Sequence, residues 1–254
     1  MKPILSVNNL TVAVGAKALV NNVSFDVPQG KITAIAGGSG SGKTTIGLSI
    51  LRLLPFALGI KWGSITFEGK NLLEEPSENM RQIRGARIGM VFQEPLSAFD
   101  PLFTIGQQLD EVLAAHTGLS QQERHKKIID TLSEVELPSP QRVYGSYPHQ
   151  LSGGMRQRAM VAQAMVGGPS LIIADEPTSS LDITLQVKIM ELFGRIKKKG
   201  ISILLISHDL GMIAHLADEV IILRQGEVVE KGMVSQVIGQ PQHEYTRELV
   251  EAFQ

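Results

Sequence analysis

The chain has 254 residues, 43% of them hydrophobic and 19% charged, with 24 Lys+Arg against 25 Asp+Glu and no cysteine. Such a composition fits one large globular domain, or one domain carrying a smaller lobe. The absence of Cys excludes a disulfide framework, a Cys-based zinc site, an iron–sulfur cluster and a thiol nucleophile.

A formal net charge of −1 gives no electrostatic reason to expect nucleic acid as a partner, and none is predicted. No stretch reaches the roughly 18 consecutive apolar residues of a membrane-spanning helix. The opening MKPILSVNNL has too short an apolar run for a signal peptide, so a cytosolic protein is expected.

Near the N-terminus Val23, Phe25 and Val27 alternate on one face, and GSITFEG (63–69) reads as another short strand. Together they predict a small antiparallel sheet. The apolar runs ITAIA (32–36), LIIA (171–174), ISILLI (201–206) and VIIL (220–223) are bounded by glycine or polar residues. Runs of this kind fit strands buried on both faces, as parallel strands of an α/β protein are.

A helical stretch is expected over 44–54. From Ser120, SQQE offers a capping box with Glu123 that opens a charged amphipathic helix to about Leu137, followed by a Pro-, Ser- and Gly-rich loop over 138–148. A further helix is expected from Met155 to Val166. After Asp182, a predicted N-cap, apolar residues at Leu185, Ile189, Phe193 and Ile196 mark one more helix, stopped by Lys197, Lys198, Lys199 and Gly200. The reading is an α/β core of residues 1–94 plus 169–254 bearing the antiparallel subdomain, with a mainly helical insertion at 95–168.

Residues 37–44 read GGSGSGKT, directly after one buried strand and before a helix. Glycines at Gly37 and Gly42 let the backbone curl until several N–H groups converge on phosphate oxygens. Lys43 then reaches the β/γ-phosphates, and the Thr44 hydroxyl ligates Mg²⁺. The helix that follows points its positive end at the same phosphates.

The second half of such a site is an acidic residue at the end of another buried strand. Asp175 fits a Mg²⁺ ligand acting through water, and Glu176 fits a group that orients or deprotonates the attacking water; a helix N-cap is the other use of Asp-Glu after a strand. Ser152, Gly153 and Gly154, in LSGGM (151–155), open a helix and form a second phosphate cradle, one more than a single ATP needs. Gln93 follows an apolar run, and its amide can accept from Mg²⁺-bound water and donate to the attacking water. His208, after the 201–206 strand, stands where a side chain could reach a γ-phosphate. Each of these two alone is ordinary loop chemistry; their order along the chain carries the information.

Taken together, these motifs resemble the nucleotide-binding subunits of ATP-binding-cassette transporters, over nearly the whole chain. Walker A lies at 37–44, the Q-loop at Gln93, the signature at 151–155, Walker B at 171–176 and the switch histidine at His208. Ser179-Ser180-Leu181-Asp182 looks like the D-loop, with Ser180 where alanine is more usual.

The resemblance implies a P-loop cassette with a RecA-like parallel core, binding ATP and Mg²⁺. It implies a phosphate-binding set of Gly37, Gly38, Ser39, Gly40, Ser41, Gly42, Lys43, Thr44 and Thr45, and Mg²⁺ held by Thr44, Gln93 and Asp175. It also implies a second cassette, expected to be a distinct chain. Each ATP would then be clamped between Walker A of one cassette and Ser152, Gly153 and Gly154 of the other. Two multi-span permease subunits would be rocked by dimer closure and reopening, with a solute-binding protein acting indirectly. The expected location is peripheral, on the cytoplasmic face of the cell membrane.

FQEPLSAFDPLFTIGQQ (92–108), SYPHQLSGGMRQR (146–158), ADEPTSSLDITLQ (174–186) and PQHEYTREL (241–249) are similar to the peptide/nickel importer branch. Two leading glycines, where peptide members more often have glutamate second, lean toward nickel or another chelated metal as cargo. So does a chain that stops nine residues after Tyr245, short of the cysteine-bearing extension of peptide relatives. Di- or oligopeptide is the alternative cargo. A non-transport cassette is the remaining one, although those proteins usually carry long coiled-coil insertions or paired cassettes. The other histidines, His116, His125, His149, His215 and His243, read as surface or cap residues, so nickel as cargo would pass through other subunits.

Relatives usually place an aromatic near the end of the first strand to stack on adenine; Val14 occupies that place, and residues 1–24 hold no aromatic. A base–aromatic stack is worth about 1–3 kcal/mol, or about 5- to 150-fold in affinity. The isolated chain is therefore predicted to discriminate weakly between ATP and GTP. Equilibrium titration with both nucleotides checks this, and a strong ATP preference that survives substitution around Val14 would refute it.

Overall fold

The computed structural model describes residues 2–179 and 181–252, which fall into two compact units, 1–80 with 194–254, and 81–193. In chain order the first unit begins with β1 (Pro3–Val14), β2 (Lys17–Pro28), β3 (Ile32–Ala36), α1 (Lys43–Ile50), β4 (Gly59–Phe67) and the two-residue β5 (Lys70–Asn71). Helix α2 (Ser77–Ile83) leads into the second unit. That unit holds β6 (Ile88–Val91), α3 (Pro95–Ala98), α4 (Ile105–His116), α5 (Gln121–Glu134), α6 (Pro140–Tyr144), α7 (Gly153–Val166) and β7 (Leu171–Asp175). Helix α8 (Ile183–Lys198) returns to the first unit, which ends with β8 (Ser202–Ile206), α9 (Leu210–Leu216), β9 (Glu219–Arg224), β10 (Glu227–Met233), α10 (Val234–Val237) and α11 (Glu244–Glu251).

The first unit contains two kinds of sheet. Strands β2, β1, β4 and β5 lie side by side in an antiparallel sheet. The alternation seen in the sequence places Val23, Phe25 and Val27 on its buried face. Strand β3 pairs in parallel with β8 on one side and β9 on the other, and β10 adds to β9 antiparallel. Every residue of β3 and of β8 is buried. A strand enclosed on both faces has no reason to alternate, which is why these segments read as continuous apolar runs.

In the second unit β6 and β7 pair in parallel, and the described elements from α3 through α7 are all helical. Local chemistry sets their ends. Ser120 and Glu123 close a reciprocal capping box at the start of α5. Thr104 and Gln107 do the same for α4. At the start of α8 the Leu185 N–H donates to the Asp182 carboxylate at 3.0 Å, and Gly200, with φ +84°, follows its lysine-rich end. Helix α1 stops at Ile50, short of the expected 54, because Arg52 turns into the left-handed region at φ +52°.

A partly buried ion cluster ties strands and helix of the first unit together. Burial by itself would raise the Asp218 carboxyl. The Lys197 ammonium at 2.7 Å, the Ile32 N–H at 2.9 Å and the Lys31 ammonium at 3.2 Å outweigh that and hold it below the usual carboxylate range. A carboxylate depressed on folding contributes stability that is complete above its unfolded value of about 4 and is lost as pH falls through the lower folded value. Asp218→Asn is therefore predicted to lower the thermal midpoint at pH 7 by about 1–4 °C. The difference from the parent should close as the medium is taken below about pH 4, which thermal melts across pH would show.

Candidate functional site

The first unit carries the 37–44 loop. Strand β3 ends at Ala36, and the chain curls through Gly37, Gly38, Ser39, Gly40, Ser41 and Gly42 into α1, whose first residues are Lys43, Thr44 and Thr45. Gly37 has φ +150°, and a Cβ there would stand 2.1 Å from the Leu223 carbonyl oxygen. Gly42 has φ +102°, and a Cβ there would meet the Leu19 carbonyl oxygen at 2.8 Å. Both positions thus demand glycine for conformation and for close approach. The loop is braced further by the Gly226 N–H, which donates to the Ser41 carbonyl at 3.0 Å, and by the Ser41 N–H donating to the Gly38 carbonyl at 3.3 Å.

Lys43 is buried, and its ammonium donates to the carbonyl oxygens of Gly37 at 2.8 Å and Gly38 at 3.0 Å. The cation is thereby held across the mouth of the loop. Thr44 is exposed at the start of α1, and the buried Ser41 hydroxyl has no hydrogen-bond partner. Val14, 42% exposed, ends the strand of the hairpin whose other arm brings Leu19 and Val20 against Gly42. His208, also exposed, follows β8; the adjoining Asp209 caps α9 by accepting the Met212 N–H at 3.0 Å.

In the second unit Asp175 closes β7 at 3% exposure and Glu176 follows at 8%. Glu176 has φ +47°, an uncommon conformation for a residue with a side chain. Its carbonyl accepts from the Ser179 N–H at 3.3 Å and the Ser179 hydroxyl at 3.2 Å, closing a turn over Pro177. Strain of this kind persists where the surroundings over-determine it. Gln93 is exposed two residues beyond β6.

Ser152 caps α7, its hydroxyl accepting the Met155 N–H at 3.4 Å. Ser152 and Gly153 are exposed, while Gly154 is buried against Leu185, where a Cβ would come within 2.8 Å of a methyl carbon. One residue that sequence reasoning passed over links these pieces: Gln157, 1% exposed, donates its side-chain amide to the Pro177 carbonyl at 2.6 Å. A glutamine on an otherwise apolar helix face was the available signal. Ser180, singled out in the D-loop, lies outside the described residues.

Known proteins share both the sequence and the fold. The family model described as ABC transporter matches residues 20–179. The chain belongs to the ABC transporter family. It is 44% identical to the peptidoglycan transport ATP-binding protein YejF of Agrobacterium fabrum, over 99% of this chain and 47% of that protein. With the dipeptide transport ATP-binding protein DppD of Bacillus subtilis it shares 43% identity, over 98% of this chain and 76% of that one. The chain thus spans about half the length of the first relative and about three quarters of the second. The dimeric structure of MJ0796, a bacterial ABC transporter cassette, superposes with a TM-score of 0.80 at 28% identity, over 91% of this chain and 98% of that one.

The chain is accordingly a P-loop ABC ATPase domain, mixed α/β with an antiparallel sheet and a parallel core. Among the described residues no helix is long and apolar enough to cross a membrane. Gly37→Ala is predicted to weaken ATP binding at least about tenfold, since the methyl group collides with backbone and the φ is unfavourable for any L residue. Nucleotide titration of the purified variant measures this, and unchanged affinity would contradict it.

Proposed function

We propose that this chain powers an importer of peptides, taking ATP as substrate at the 37–44 loop. The observation that carries the reading is the near-complete match, above 40% identity, to proteins named for dipeptide and peptidoglycan transport. The lean toward nickel drawn from Gly38 finds no support in those names, and Gly38 has a local reason of its own. A Cβ there would lie 3.1 Å from the Tyr245 hydroxyl, so packing against that oxygen is a second reason for glycine at this position.

The phosphates of ATP would meet the loop N–H groups and the positive end of α1. Lys43 would exchange its two loop carbonyls for β/γ-phosphate oxygens. The Thr44 hydroxyl, the Asp175 carboxylate and the Gln93 amide are hard oxygen donors of the kind Mg²⁺ takes in phosphate sites. Mg²⁺, when bound, would neutralise charge on the β/γ-phosphates. Glu176 would orient and deprotonate the attacking water, with Gln93 positioning it and His208 reaching the γ-phosphate.

Ser152, Gly153 and Gly154 would serve the ATP of a second cassette, expected from the branch resemblance to be a distinct chain; that cassettes pair is supported by the dimeric structure of the MJ0796 cassette. Exposed Leu96, Leu102 and Phe103, all in the second unit near Gln93 in sequence, offer an apolar surface for the permease subunits at the cytoplasmic face of the membrane. A solute-binding protein would act on those permeases rather than on this chain.

Uptake assays in cells lacking the chain test the reading. The native chain should restore uptake of labelled dipeptide, and Glu176→Gln, which retains ATP but loses the water-activating carboxylate, should lower it by about 100-fold or more. Restored nickel accumulation with no effect on peptide uptake would reverse the assignment of cargo. Near-normal transport by Glu176→Gln would remove Glu176 from its role.

A further inference from the structure

We propose that Tyr245 is a positioning residue for the phosphate loop, its hydroxyl fixing the backbone at Gly38 so that the loop stands ready for a triphosphate. The Gly38 N–H donates to Tyr245 Oη at 2.9 Å, a contact made across 207 positions of chain. Tyr245 is itself held through its ring and through its backbone. The Arg224 guanidinium lies 4.8 Å from its ring centroid. His243 caps α11 by accepting the Tyr245 N–H on Nδ1 at 3.1 Å.

Just before the helix, the Glu230 carboxylate accepts the N–H groups of Gln242 at 2.9 Å and His243 at 3.0 Å. Partial burial pushes that carboxyl up, and hydrogen bonding, the two amides included, outweighs it, leaving Glu230 below the ordinary range. The segment 241–249 is thus tied to β10 at its start and delivers the tyrosine hydroxyl to one atom of the loop.

The loop is consequently fixed at Gly38 from both sides. Its carbonyl accepts from Lys43 at 3.0 Å, and its N–H donates to Tyr245 at 2.9 Å. An amide committed to a phenol is not free for a phosphate, so the hydroxyl acts on the ligand only through the shape of the loop. Without it, the peptide between Gly37 and Gly38 regains freedom that nucleotide binding must then remove, and affinity falls. This inference rests on the reading of 37–44 as the phosphate loop.

The test is titration of the full chain with ATP and with ADP, for the native protein, Tyr245→Phe, Gly38→Ala and the double variant. Tyr245→Phe keeps the ring and its stacking on Arg224 and removes only the hydroxyl. It should raise Kd for both nucleotides about two- to tenfold, the worth of one hydrogen bond, with little change in the thermal midpoint of the nucleotide-free chain. Gly38→Ala, whose methyl group would crowd that oxygen at 3.1 Å, should cost less in the Tyr245→Phe background than alone, a non-additivity expected only of groups in contact.

An unchanged Kd in Tyr245→Phe overturns the proposal, as does strict additivity of the two substitutions. So does a lowered midpoint with normal Kd in the folded fraction, which would make Tyr245 merely structural. Lys43→Ala separates the two levels of the argument: if it binds ATP as the native chain does, the phosphate-loop reading itself fails.

Discussion

The constraint on which the nucleotide loop depends is the contact of the Gly37 backbone with the carbonyl of Leu223, where a Cβ would have only 2.1 Å. Everything around the loop is arranged about that proximity. Strand β9 must run parallel beside β3 to bring Leu223 there, and the turn after β9 must be tight enough for Gly226 to donate to Ser41. That turn uses Gln225 at φ +51° and Gly226 at φ +85°. The Gly226 carbonyl in turn accepts the Asn21 N–H at 2.8 Å, which ties the β1–β2 hairpin to the same point. A loop with Gly37, Gly40 and Gly42 all at positive φ is costly to form, and contacts from β2, β9 and the turn after β9 hold it in place.

The second unit solves a related problem by different means. A helix N-terminus gathers unsatisfied N–H groups without unusual dihedral angles, so α7 needs only Ser152 as its cap and Gly154 to clear Leu185. The turn after β7 does use strain, with Glu176 in the left-handed region. Gln157 is the stay for that turn, spending a buried side-chain amide on the Pro177 carbonyl. A buried polar group of this kind is favourable only when bonded, so the signature helix and the turn carrying Glu176 are locked to one geometry.

Much of this could be read from the residues alone. The buried strands announced themselves because a strand covered on both faces shows an unbroken apolar run, as 32–36, 171–174 and 201–206 do. The capping box at Ser120, the N-cap at Asp182 and the stop at Gly200 are local chemistry, settled within four residues, and they stand in the structure as the sequence implied. The cargo was less legible. Gly38 was weighed as a sign of nickel, whereas its neighbour across the fold is a tyrosine hydroxyl, and relatives sharing the chain's full length carry peptide-related names.

The sequence by itself determined the kind of loop, the kind of strand and the order of chemical groups along the chain, because each depends on residues within one or two turns of each other. Only the tertiary structure decided what holds those groups in place. That Leu223, Gly226 and Tyr245 converge on residues 37–42, and that Gln157 meets Pro177, follows from strand order and helix docking. Contacts across such separations are selected by the packing of the whole unit, and no local preference of Tyr245 or Gln157 encodes the partner it finds.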